Sequence, residues 1–328
     1  MTRRAPRRGG FTLIELLVVM AIVVALAGVT IVIAWSALDR DRAAAAVNKV
    51  TGSMQIARSR AHRDGLPHGV RLINNGNNLV TAYQFIYSPP VFLPAAPGFT
   101  PGPTSVNAPY LQFEYTLDPG SQVATRVCRI HNLTYEQQVQ VTVNSLLYLP
   151  ELGTYHRISA VSAPGNPMVV ILDDNPSFQY GYPDDAMGAA THLRTYYFGL
   201  YGPPEPLVGE EVIQLPERSC IDLNADANPV LNRSVPGLPP AAPQDYDILF
   251  APSGQLVGTN TTRPHGHVFL WFRDPTRPND VVNGGEQLLA VIKAQSGAMG
   301  AAPVDHAGAT GAPGSDYYSL ARKAVVGH

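Results

Sequence analysis

One uninterrupted apolar run, residues 11–35, restricts the fold more than anything else in the chain: FTLIELLVVMAIVVALAGVTIVIAW. As a helix rising ~1.5 Å per residue it would be ~37 Å long, enough to cross the hydrocarbon core of a bilayer. Arg3, Arg4, Arg7 and Arg8 precede it with no acidic residue among them, and no lysine or arginine falls inside it. That asymmetry predicts residues 1–10 on the cytoplasmic side and the body of the chain on the other. A cleaved secretory signal is the plainer alternative. Against it, the run is longer than a signal's apolar core, no small-x-small site closes it, and Glu15 lies within it. A carboxylate at that depth costs roughly 2.5–3.5 kcal/mol on insertion scales, which a signal peptide has no reason to carry.

No proline occurs between Pro6 and Pro67, so helix is permitted well beyond the apolar run. After Asp39, apolar residues recur at Ala43, Val47, Val50, Met54, Ala57 and Ala61, an alternating four-three spacing that draws one stripe along a helix. Arg40, Arg42, Asn48, Lys49 and Arg58 fall largely off it. Gly65 and Pro67 are ordinary helix stop signals. The pattern predicts a helix from Phe11 to about His62, ~78 Å long, with its first half in a membrane and its second half carrying a stripe for a globular domain.

The residues around Glu15 are Arg8-Gly9-Gly10-Phe11-Thr12-Leu13-Ile14-Glu15-Leu16-Leu17. A short basic leader ending in glycine, then Phe-Thr-Leu-Ile-Glu and a long apolar helix, resembles the signal of type IV prepilins and type II secretion pseudopilins. The resemblance implies that a prepilin peptidase cuts between Gly10 and Phe11 and methylates the new amine of Phe11. It also implies that Glu15 then pairs with the Phe11 amine of a neighbouring subunit and sets the register of a filament. An ion pair in low dielectric offsets its burial cost only when both charges are well placed. Many family members have a proline about twenty residues into the mature helix. Val32 stands near that position here, so no proline kinks the helix there.

Beyond the helix, His68 to Ile73 reads as a strand. The stretch Gln55 to Gly65 with the following Val-Arg-Leu, the segment Asp247 to Gly254 and the run Gln287 to Lys293 before Ser296-Gly297 resemble the minor pseudopilin H/FimT-like branch. Between them lies a long insertion, about residues 88–243, with a second subdomain expected near 105–235. Strands are expected at Tyr110 to Thr116, Val123 to Ile130, Gln138 to Val143, Met168 to Leu172 and Thr195 to Tyr201, from period-two alternation and short apolar runs. Proline-rich loops separate them, such as Ser88 to Pro109 with seven prolines and Val235 to Pro243. Residues 294–328 are rich in glycine and alanine and predict a flexible tail, with Asp316 to Val326 either a short helix or a strand that pairs back.

The fold class expected is therefore α+β and pilin-like. A cytoplasmic leader (1–10) is followed by a membrane helix (11–35), its amphipathic continuation (36–64), a β-rich head with an insertion (65–293) and a tail. The location implied is the bacterial inner membrane, single-pass, with the head in the periplasm.

Little in the chain suggests chemistry. Cys128 and Cys220 are too few for a scaffold or a zinc site; they predict either one disulfide or two buried thiols. Asp222, Asn224 and Asp226 place oxygen side chains at every second position, as at the start of a calcium loop. Ala227 and Arg233 stand where glycine and the bidentate carboxylate belong, so a polar turn before Pro229 is favoured. Asp173-Asp174-Asn175 reads as a solvated turn. His265 and His267 could share a strand face but have no third ligand in sight. Arg58, Arg60, His62 and Arg63 form a basic cluster that could meet phosphate, or could be cations favoured at a helix C-terminus. Without the four leader arginines, 19 basic residues face 25 acidic ones, a net −6 that gives no reason to expect nucleic acid. No phosphate loop, nucleophile elbow, zinc-protease helix or CxxC occurs, so no cofactor and no enzymatic activity are expected. The function expected is that of a minor pseudopilin in a type II secretion system, with a minor type IV pilin in adhesion or DNA uptake as the alternative. Its partners would be the prepilin peptidase, other pilins or pseudopilins and the inner-membrane assembly platform.

Overall fold

The computed structural model describes residues 13–93, 108–117, 124–150, 153–173, 192–195, 197–224, 245–257, 266–277, 285–304 and 318–326. It is α+β: one long N-terminal helix and two antiparallel sheets. Helix α1 (Leu13–Asp64) runs 52 residues. It stops at Gly65, whose φ of +67° is a left-handed position that glycine takes without a Cβ penalty. The Gly65 amide donates to the Ala61 carbonyl at 3.1 Å, satisfying one of the last carbonyls of the helix.

The first sheet takes the second half of α1 on one face. Its main path is β15 (Leu256–Val257), β14 (Tyr246–Phe250), β1 (His68–Asn74), β2 (Leu79–Tyr87), β13 (Cys220–Asp222), β16 (His267–Arg273), β17 (Leu288–Lys293) and β18 (Met299–Pro303). The short strands β11 (Glu205–Pro206) and β12 (Ile213–Gln214) also pair with β2. Every residue of the expected helical stripe is buried: Ala43, Val47, Val50, Met54, Ala57 and Ala61. From Val47 onward they pack with Val70 and Leu72 of β1, Tyr83 and Phe85 of β2, Ile248 and Phe250 of β14, and Leu270 and Phe272 of β16. Buried Ser53 hydrogen-bonds the Tyr83 hydroxyl at 2.8 Å, so these two polar groups inside the interface satisfy each other. Backbones approach closely at Gly69, where a Cβ would lie 2.1 Å from the Ile248 carbonyl oxygen. The cross-strand pair Arg71 and Asp247 is bidentate at 2.7 and 2.8 Å and fixes the register of β1 on β14.

The first part of the insertion folds as the second sheet. Its order is β3 (Pro90–Phe92), β10 (Gly199–Tyr201), β6 (Leu146–Leu149), β7 (Thr154–Val161), β8 (Met168–Leu172), β5 (Ala124–His131), β4 (Tyr110–Leu117) and β9 (His192–Thr195). It has its own core around Phe113, Cys128, Ile130, Ile158, Val170 and Phe198. A smaller cluster joins the sheets: Ile86, Leu249 and Val257 from the first pack with Leu146, Tyr155 and Tyr201 from the second.

Several expectations are corrected. The extra sheet uses residues 90–201, not 105–235, because residues 205–222 return to β2 and β16 of the first sheet. The single strand expected over Thr195 to Tyr201 is two, β9 and β10, placed toward opposite ends of the sheet. The strand expected over Gln138 to Val143 is instead helix α2 (Tyr135–Gln140) and its exit. Thr134 and Gln137 form a reciprocal capping box there, a local signal stronger than a three-valine alternation.

The tail, in its described part, is ordered structure. Strand β18 pairs with β17, Ile292 opposite Met299, and helix α3 (Ser319–Val326) lays Ala321 and Val325 on Phe269, Trp271, Leu289 and Val291. Strands β16 and β17 are buried on both faces, and such strands need a cover on the side away from α1. The Val235 to Pro243 loop and most of the Ser88 to Pro109 loop lie outside the described residues.

Candidate functional site

Helix α1 divides into two halves of opposite character. From Ala46 onward its buried face is enclosed by the first sheet. From Leu13 to Ala27 every residue is exposed, Leu13 at 83% and Val24 at 70%, and all but Glu15 are apolar. A helix that is apolar all round has no stable place in water; it must be covered by lipid or by other helices. At ~1.5 Å per residue α1 is ~78 Å long, so its exposed half projects far beyond the head. Glu15 lies in the first turn of α1, where a carboxylate complements the helix dipole. Gly10, Phe11 and the side chains of residues 28–40 lie outside the described residues. Among the described residues no helix is long and apolar enough to cross a membrane.

Residues 6–31 match the family model of the prokaryotic N-terminal methylation motif. The chain carries a type IV pilin-like prepilin motif. The match covers the Gly10–Phe11 junction, Glu15 and the first part of the apolar run, and it implies processing by a prepilin peptidase and assembly into pilin-like filaments. Comparison of the whole chain with curated proteins and with solved structures finds no significant match.

The other candidate residues have structural roles. Cys128 and Cys220 are buried thiols, not a disulfide. Cys128 is in the core of the second sheet on β5, and Cys220 is on β13 of the first, opposite Arg273. Burial pushes the Cys220 thiol up to about 12, so it stays protonated and unreactive at ordinary pH.

Asp222 is not a calcium ligand in waiting. It is fully buried, and its Oδ2 accepts from Arg273 Nε at 2.7 Å. Its Oδ1 accepts from the Asn224 backbone amide at 3.0 Å and the Asn224 side-chain amide at 2.9 Å. Both oxygens are spent within the chain; Asp226 lies outside the described residues. Among the described residues no group of three or more His, Cys, Asp or Glu could hold a metal ion. Asp173 faces Arg157 at 3.8 Å, and His267 stacks on Phe269 at 5.9 Å, while Asp174, Asn175 and His265 lie outside the described residues.

The basic cluster at the end of α1 is largely neutralised. Arg60 pairs with Glu210 at 2.6 Å and lies over the Phe85 ring at 4.6 Å. Arg63 binds its neighbour Asp64 through two hydrogen bonds, at 2.7 and 3.1 Å. The partners Arg273 of Asp222 and Glu210 of Arg60 are 51 and 150 residues distant in sequence, and no local pattern announces them.

Proposed function

We propose that the protein is a minor pseudopilin, a structural subunit of the short periplasmic filament of a type II protein secretion system. The observation that carries this reading is the continuity of α1. The methylation motif at residues 6–31 leads into a single helix, exposed and apolar at one end and locked into a β-rich head at the other. In this reading residues 11–35 hold the subunit in the inner membrane, the leader faces the cytoplasm and the head lies in the periplasm. Cleavage after Gly10 removes four arginines and creates the Phe11 ammonium. Glu15 of one subunit then meets that ammonium on its neighbour, so that lateral packing of apolar helices is registered by one ion pair. The role is mechanical rather than catalytic, which suits a head in which the buried charges of Asp222 and Arg273 are paired with each other.

The test is a Glu15→Val substitution followed by fractionation of filaments and membranes. The expected result is a processed subunit that stays in the membrane and no longer enters filaments, with secretion substrates retained in the periplasm. Normal filament incorporation would remove Glu15 from assembly. Loss of surface pili with secretion intact would give the subunit to a type IV pilus instead.

A further inference from the structure

The last turns of α1 and the turn after β14 enclose an open groove of 610 Å³. The helix contributes Arg58, Ser59 and His62, and the turn contributes Pro252, Ser253 and Gly254. Arg58 and His62 are four apart and so lie on one face, turned off the buried stripe of Met54, Ala57 and Ala61.

Among the described residues Arg58 packs against backbone rather than against a carboxylate. Its guanidinium lies against Gly254 and its stem against Gly297, both at positive φ (+85° and +62°). A Cβ on Gly254 would come within 2.9 Å of Arg58 Nε, and one on Gly297 within 3.2 Å, so two glycines leave the space this side chain occupies. Arg60 and Arg63 each have an acidic partner; Arg58 has no hydrogen-bond or ion-pair partner among the described residues. The His62 ring is tethered at 3.2 Å between Nδ1 and the Pro252 carbonyl oxygen. That tether requires Nδ1 to carry the proton, which leaves Nε2 for another contact when the ring is neutral. A half-buried guanidinium packed on backbone and without a counter-charge among the described residues is a partner-seeking group.

We propose that this groove binds an acidic side chain on an extended segment of a second polypeptide, with Arg58 gripping the carboxylate and the Ser59 and Ser253 hydroxyls beside it. The charge balance selects a monoanion. Arg58, Arg60 and Arg63 against Asp64 and Glu210 leave one surplus positive charge. That suits one carboxylate and not a run of phosphates, which would need several cations. The volume suits a few residues of peptide rather than a bare ion. The site does not depend on processing at Gly10 and stands or falls separately from the filament reading.

The test uses the full chain in detergent and ligand-observed NMR titrations of acetyl-Gly-Glu-Gly-amide, its glutamine counterpart, methyl phosphate and an oligothymidylate. The glutamate peptide is expected to bind and the glutamine peptide not. Arg58→Ala is expected to weaken binding about tenfold or more, the loss of one charge-assisted pair, and Arg60→Ala to leave it unchanged. Arg58→Glu is expected to transfer binding to the lysine analogue of the peptide, which a merely unfolded variant cannot do. Equal binding of the glutamate and glutamine peptides, or no effect of Arg58→Ala, would overturn the proposal. So would tighter binding of methyl phosphate or oligothymidylate, or no binding of any probe.

Discussion

Asp222→Asn separates the structural account of the Asp222 turn from the metal-binding one. Asp222 is fully buried and the Arg273 side chain is 8% exposed, at 2.7 Å. Asparagine keeps an oxygen for the two Asn224 donors but loses the negative charge and, at the other position, turns an amide toward Arg273. The guanidinium stays buried without its counter-ion. Removing one member of a buried pair costs about 3–5 kcal/mol. Losing one neutral hydrogen bond would cost only about 1 kcal/mol, so the charge decides the outcome. Urea denaturation of the full chain, with millimolar calcium and with chelator, gives both quantities. The expected result is a loss in that range, with wild-type stability indifferent to calcium. A calcium site occupied at a hundred times its Kd would add about 2.7 kcal/mol. A loss below about 1 kcal/mol on Asp222→Asn, or a calcium-dependent gain of that size in the wild type, would refute the reasoning.

Two further outcomes follow from the interior of the head. Burial holds His68 neutral and pushes its pKa below the ordinary 6.5, more than nearby Asp64 raises it. The unfolded chain therefore takes up this proton first. The contribution is intact above about pH 6.5 and is lost as pH falls below it toward the folded pKa, and His68→Phe should flatten that part of the stability–pH profile. Cys128 and Cys220 should resist thiol reagents at pH 8 in the folded chain and react together after denaturation. The protein should run identically on reducing and non-reducing gels; a mobility difference would mean that the thiols are bonded after all.

The helix was legible in the sequence because its signals are local and redundant. The stripe from Ala43 to Ala61, the absence of proline and the Gly65 stop agree with one another, and all of the stripe is buried. The strands over His68 to Ile73, Tyr110 to Thr116, Val123 to Ile130 and Met168 to Leu172 were legible from short apolar runs and alternation, the last to the residue, whereas β2, β6 and β7 were not anticipated. The Thr134–Gln137 capping box was equally local, but three alternating valines outweighed it; Val139 and Val143 prove half exposed and Val141 buried at the helix exit. The segment Met299 to Pro303 was misread as flexible because composition describes a segment alone, whereas β18 is ordered by pairing with β17; α3 is the helical one of the two alternatives for Asp316 to Val326, and it covers the apolar back of β16 and β17. Trp271 within His267–Arg273, a strand apolar on both faces, was the available hint of a cover. The role of Asp222 was hidden by distance, since its partner Arg273 sits on the neighbouring strand.

The central claim is that the mature protein begins at Phe11, cut at the Gly10–Phe11 junction of the methylation motif. The most direct measurement is the N-terminal mass of the protein from membranes with and without an active prepilin peptidase. The account predicts a chain beginning at N-methylated Phe11 when the peptidase is present, and the intact arginine leader when it is absent. A leader retained under both conditions, or a chain cut beyond residue 30, would contradict it.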